Sequence, residues 1–138
     1  MPLHSTRADV EKLLGASVPL ANEHVSRHET ESEVVVVEYA TGPPCGTDGL
    51  NMWQVPRDTV IGILVSPKAE LRFNDLHLDE TKYEKTDGGH VPNYIYYTDR
   101  KEGVNYEVTH GLVLTVSYFP AAKDNYLMCP AARRKPSS

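Results

Sequence analysis

The chain has 138 residues, close to the length of one ordinary domain, and its 40% apolar content is far above that of a disordered segment. Its 14 Lys and Arg are outnumbered by 19 Asp and Glu, giving a net charge of −5, so the basic excess needed to bind a phosphate backbone is missing and nucleic acid is not an expected partner. Ten prolines and nine glycines point to short elements joined by turns; the longest apolar runs, Val34–Val37 and Ile61–Val65, fall well short of the roughly 18 residues that suggest a membrane-spanning helix.

Met1–Arg7 has neither the charged start nor the apolar stretch of a secretory leader, so the chain reads as intracellular or as the mature form of an exported protein. Thr6–Leu14 predicts a short helix. Thr6 can cap it, Asp9 three residues on completes a capping box, Val10, Leu13 and Leu14 form an apolar stripe, and Gly15 can end it. Eight or nine residues are too few for an independent helix, so the stripe must lie on something larger. His24–Glu29 is expected as one arm of a hairpin and the valine-rich Glu33–Tyr39 as a strand. His24 and His28 stand at i, i+4 with no third ligand nearby, and read as solvent-facing histidines beside Glu23, Glu29 and Glu31.

Ala40–Met52 is a Pro- and Gly-rich loop leading into Trp53-Gln54-Val55-Pro56, and loops of this length are more often functional or tethered than idle. Its Gly46-Thr47-Asp48-Gly49 lacks the following Lys-Ser or Lys-Thr of a phosphate cradle. Cys45 and Cys129 are 84 positions apart and have no neighbours suited to zinc. In an exported protein they are expected to pair, stabilising by roughly 4.5 kcal/mol in the chain-entropy account; in a cytosolic one they would be two unrelated thiols.

Thr59–Val65 is apolar on both faces, which predicts a doubly covered strand with Ile61, Ile63 and Val65 nearly fully buried, closed by Pro67. Leu71–Leu78 reads as an irregular connector with one short helical or 3₁₀ turn, and a polar stretch with a turn at Asp87–Gly89 runs on to His90. Tyr94–Thr98, Val104–Val108 and Leu112–Phe119 follow as a three-strand meander. The expected fold class is therefore α+β: a short N-terminal helix packed on an antiparallel sheet of five or six strands, formed by residues 1–130, with 131–138 as a disordered tail.

On the pleat, Tyr94 and Tyr96 share a face and Tyr97 points to the other. If Val104, Tyr106 and Val108 face the helix with Leu114, Val116 and Tyr118, the opposite face keeps Val113, Thr115 and Ser117. Tyr94, Tyr96, Tyr106 and Trp53 are the candidate contact residues; cross-strand aromatic packing that merely stabilises the sheet is the alternative. His90 and His110 are the acid-base candidates, but no serine or cysteine nucleophile stands in a motif beside them, and no catalytic residue, metal or cofactor is assigned.

Ser5–Gly15 resembles the opening helix of the SmpA/OmlA outer-membrane-assembly lipoproteins and of the β-lactamase inhibitor protein. Trp53-Gln54-Val55-Pro56, Leu76–Asp79, Gly103–Val108 and Tyr118–Asn125 with Leu127 and Cys129 resemble a family of small secreted bacterial proteins of soil bacteria and cyanobacteria. These resemblances imply export to the periplasm or exterior and a helix-on-sheet fold, and imply no reaction. The function expected is thus a non-enzymatic contact with a protein or envelope partner, made by a sheet face and the 40–53 loop. A small hydrolase or ligand-binding enzyme, with its pocket between that loop and the sheet, is the alternative.

Overall fold

The computed structural model describes residues 1–17, 22–46, 51–89 and 93–130. The expected tail at 131–138, His90 and the middle of the Pro- and Gly-rich loop, residues 47–50, lie outside the described residues.

Thr6 caps helix α1 (Arg7–Leu14) as its sequence suggests: its hydroxyl accepts from the Asp9 amide while the Asp9 carboxylate accepts from the Thr6 amide. The described strands are β1 (Val25–Glu29), β2 (Glu33–Tyr39), β3 (Val60–Pro67), β4 (Glu84–Asp87), β5 (Tyr94–Asp99), β6 (Val104–Thr109) and β7 (Leu112–Tyr118). They form one seven-stranded sheet in the order β1-β2-β3-β7-β6-β5-β4, every pair antiparallel.

The α+β class holds, but the strand count of five or six and the final three-strand meander do not. The last four strands run as a meander, because Glu84-Lys85-Thr86-Asp87 pairs with β5. All four residues are exposed, so no apolar alternation marks the strand in the sequence. As the outer strand it carries three charges, which discourages pairing with another chain.

Register sorts the side chains into two faces, and the described residues cover only one. Toward the covered side point Ser26 and His28, Val35, Val37 and Tyr39, Val60, Ile63 and Val65, and their partners across β7, β6 and β5. Helix α1 lays Val10 and Leu14 over the β2 and β3 end. The connector between β3 and β4, with 3₁₀ turns at Phe73–Leu76 and Glu80–Lys82, lays Leu71, Phe73, Leu76, Leu78 and Tyr83 over β5, β6 and β7. Phe73 stacks on Tyr97 at 4.2 Å and meets Tyr106 edge-on at 5.9 Å. Leu13, expected on the apolar stripe of the helix, is 82% exposed instead.

Two β-bulges decide which residues reach the core. Between Glu38 and Tyr39 the register with β3 shifts so that Tyr39 opposes Val60. Val60 is thereby fully buried, while Ile61, Ile63 and Val65, expected in the core, are half-buried. Nor is β3 covered on both sides, since Leu64 on its other face is exposed. Between Glu107 and Val108 a second shift places Val113 opposite Val108 and displaces Leu114 outward. Val113 is buried and Leu114 exposed, the reverse of the alternation read from the sequence.

Beneath α1 runs a buried polar chain. Ser26 Oγ lies 2.9 Å from His28 Nε2 and 2.7 Å from the Tyr39 hydroxyl. The Arg7 guanidinium covers the Tyr39 ring at 4.1 Å and donates to the Glu23 carbonyl and the Asp58 carboxylate. His28, expected at the surface, is 1% exposed.

Cys45 and Cys129 form a disulfide with a Cα separation of 5.7 Å. The segment after the loop is pinned beside it by backbone pairing: Gln54 donates to the Leu127 carbonyl, Cys129 to that of Met52, and Trp53 bridges Met128.

Candidate interaction face and cavity

The uncovered face of the sheet presents, from β1 to β4, Val25, Arg27 and Glu29; Val34, Val36 and Glu38; Gly62, Leu64 and Ser66; then Leu114, Thr115 and Ser117. Asn105, Glu107 and Thr109 on β6, Tyr94, Tyr96 and Thr98 on β5, and Glu84 and Thr86 on β4 complete it. None of these side chains is fully buried. Tyr94 and Tyr96 meet edge to face at 5.3 Å, the preferred geometry for two ring quadrupoles, so each restrains the other while remaining half open to solvent. Across the strands, Thr98 donates to the Asn105 side-chain oxygen at 2.7 Å and Thr115 donates to the Glu107 carboxylate. The surface is an ordered mixture of rings, aliphatics and polar pairs.

The four expected contact residues are not brought together. Tyr94 and Tyr96 share the open face; Tyr106 points to the covered face and packs on Phe73 and, edge-on at 5.9 Å, on Tyr83. Burial raises the ionisation of both Tyr106 and Tyr83 above the ordinary tyrosine value. Trp53 belongs to a third cluster, half-buried against Leu3, Ala40 and Val55. Its backbone is fixed by Asn51, whose side chain accepts from the Trp53 amide and donates to the Val55 carbonyl.

His110 is exposed in the β6–β7 turn with φ of +49°, bordering a hollow of about 190 Å³ shared with Asn74, Asn93 and Tyr97. Ser26 and His28 have the spacing of a nucleophile and its base, yet both sit under α1 at 3% and 1% exposure, where no substrate reaches them. Their pairing satisfies Ser26 Oγ and His28 Nε2 instead, while His28 Nδ1 has no partner among the described residues. Among the described residues no group of three or more His, Cys, Asp or Glu side chains is placed to hold a metal, and no helix is long and apolar enough to cross a membrane.

Sequence reasoning missed a cavity of about 340 Å³ on the covered side, at the seam between the two covering segments. Ile63 and Tyr118, opposed across β3 and β7, Gly103, Phe119 and Pro2 supply its walls. Asp124, 4% exposed, also lines it, and its Oδ1 accepts from His4 Nε2 at 3.0 Å. No motif could have signalled this site, because its walls come from four separate stretches of chain. Comparison of the chain with family models, with curated proteins and with solved structures gives no match.

Proposed function

We propose that the chain is a non-enzymatic binding domain, exported to the periplasm or exterior, that contacts a protein partner through the open face of its sheet. The observation that carries this reading is the one-sided cover of the sheet: among the described residues no second layer lies on one face, and that face holds the Tyr94–Tyr96 pair with Leu64 and Leu114 exposed on its central strands. Tyrosines held by their neighbours supply contact area at little further entropic cost.

Charge narrows the partner. On the open face Glu29 is paired with Arg27 and Lys68 and Glu84 with Arg100, which leaves Glu38 and Glu107 without an ion pair among the described residues and suited to a protein surface bearing Arg or Lys. Export is supported by the Cys45–Cys129 disulfide, which persists in oxidising compartments. Part of the 40–53 loop adds exposed groups, Pro43, Pro44 and Met52, to the contact surface in this reading, while Trp53 supports them from beneath.

The test compares two variants, Tyr94→Ala/Tyr96→Ala and His90→Ala/His110→Ala, in affinity capture from an envelope extract at low and raised salt, then with the captured protein purified. Binding lost in the tyrosine variant, weakened by salt and intact in the histidine variant is the expected result. Turnover of an esterase, phosphatase, glycosidase or peptidase substrate that the histidine variant abolishes, with binding indifferent to the tyrosines, would replace this reading with the hydrolase.

A further inference from the structure

The seam cavity lies on the opposite side of the sheet from the open face, and its chemistry is different. Its walls are largely apolar, and its volume of about 340 Å³ falls in the range of small-molecule sites. It exists for a steric reason. Gly103 has φ of +74°, and a Cβ there would stand 2.1 Å from the Phe119 carbonyl oxygen, so the 99–103 turn can close onto Phe119 only without a side chain. The Phe119 amide donates to the Gly103 carbonyl, fixing that wall. Ile63 and Tyr118, opposed across β3 and β7, form the floor.

Into this apolar space Asp124 brings a carboxylate whose side chain is 6% exposed. A carboxylate offers two oxygens and about four acceptor sites. Among the described residues only Oδ1 is engaged, by His4, leaving Oδ2 without a hydrogen-bond donor. Oδ2 is not sealed from solvent, so a donor that enters the cavity can reach it. The other charges around the cavity, Glu102, Lys123 and the terminal ammonium that donates to Ser5, are exposed and screened by solvent. Asp124 is the charge that an enclosed ligand would meet.

We propose that this cavity binds a small primary amine with an apolar body, its ammonium donating to Asp124 and its hydrocarbon part seated on Ile63, Tyr118 and Phe119. An apolar body removes the floor from water, and an ammonium fills the acceptor that His4 leaves open. A ligand of the same shape ending in a carboxylate meets Asp124 with like charge and is rejected.

The experiment uses the full, disulfide-bonded chain and follows backbone amide resonances during titration with 2-phenylethylamine and, separately, with 3-phenylpropionate. Saturable shifts centred on Ile63, Gly103, Tyr118 and Phe119, with the amine bound at least about tenfold more tightly than the acid, are expected. Asp124→Asn should abolish that preference, and Ala121→Trp, which fills the mouth, should weaken both ligands. The unmodified chain alone decides the matter if Asp124→Asn does not fold. Equal affinity for amine and acid, shifts centred on Tyr94 and Tyr96, or no saturable shift at millimolar amine would each overturn the proposal. None of these results depends on whether the open face binds a protein.

Discussion

Val113 and Leu114 are adjacent in sequence and opposite in environment, at 5% and 41% exposure. The cause is the bulge opposite Glu107 and Val108, which inserts one residue into β7 and changes the parity of everything before it. Val113→Ala should therefore destabilise by roughly 2–3 kcal/mol, whereas Leu114→Ala should change stability by less than about 0.5 kcal/mol, in urea denaturation. Simple alternation predicts the reverse order.

The polar chain under α1 hinges on Ser26, whose hydroxyl meets both His28 and Tyr39. Ser26→Ala removes one hydroxyl and leaves two buried groups without that partner, so a loss of roughly 2–4 kcal/mol is expected. Tyr39→Phe removes an end of the chain and should cost less, about 1 kcal/mol. Equal losses would mean that Ser26 does not join the two.

What could be read from the sequence was whatever depends on neighbours along the chain. The Thr6/Asp9 capping box, the β1–β2 hairpin and the strands at 94, 104 and 112 rest on local chemistry, and they stand where periodicity puts them. Strand β4 was illegible because Glu84–Asp87 is polar on both sides and owes its conformation to pairing with β5. The burial of Val60 in preference to Ile61 depends on a register shift against a strand some twenty residues away, which no local pattern encodes. The two aromatic side chains that stay together, Tyr94 and Tyr96, are two apart on one strand; Tyr106 and Trp53 needed long-range topology to place them.

Burial holds Tyr39, Tyr83 and Tyr106 protonated to higher pH than an ordinary tyrosine with a value of 10.0. Their protons are thus bound more tightly in the folded chain. The stability they contribute is fully present below pH 10 and is lost as the pH rises through their folded values. Alkaline titration followed by tyrosinate absorbance and circular dichroism should show unfolding coupled to late tyrosine ionisation. Tyr39→Phe should shift that unfolding to higher pH.

Gly103→Ala places a methyl 2.1 Å from the Phe119 oxygen at a backbone angle that only glycine adopts without strain. A loss of roughly 2–4 kcal/mol is expected from the clash and the strain together, measured as a lowered melting temperature. A melting temperature unchanged from that of the parent would show that the 99–103 turn is not held against Phe119.

The disulfide also divides the chain into a closed circuit and a free arm. Cys45 follows β2 and Cys129 follows β7, so the covalent ring encloses β3 to β7 while α1, β1 and β2 lie outside it. Separation of β2 from β3 breaks no covalent constraint, and it uncovers Val60 and Ile63 without opening the ring. Hydrogen exchange in the oxidised chain should accordingly fall into two tiers, with the amides of β1 and β2 released at lower free energy than those of β6 and β7. Reduction should draw the tiers together by loosening the ring, so the same bond that stabilises the whole also decides which part can peel away alone.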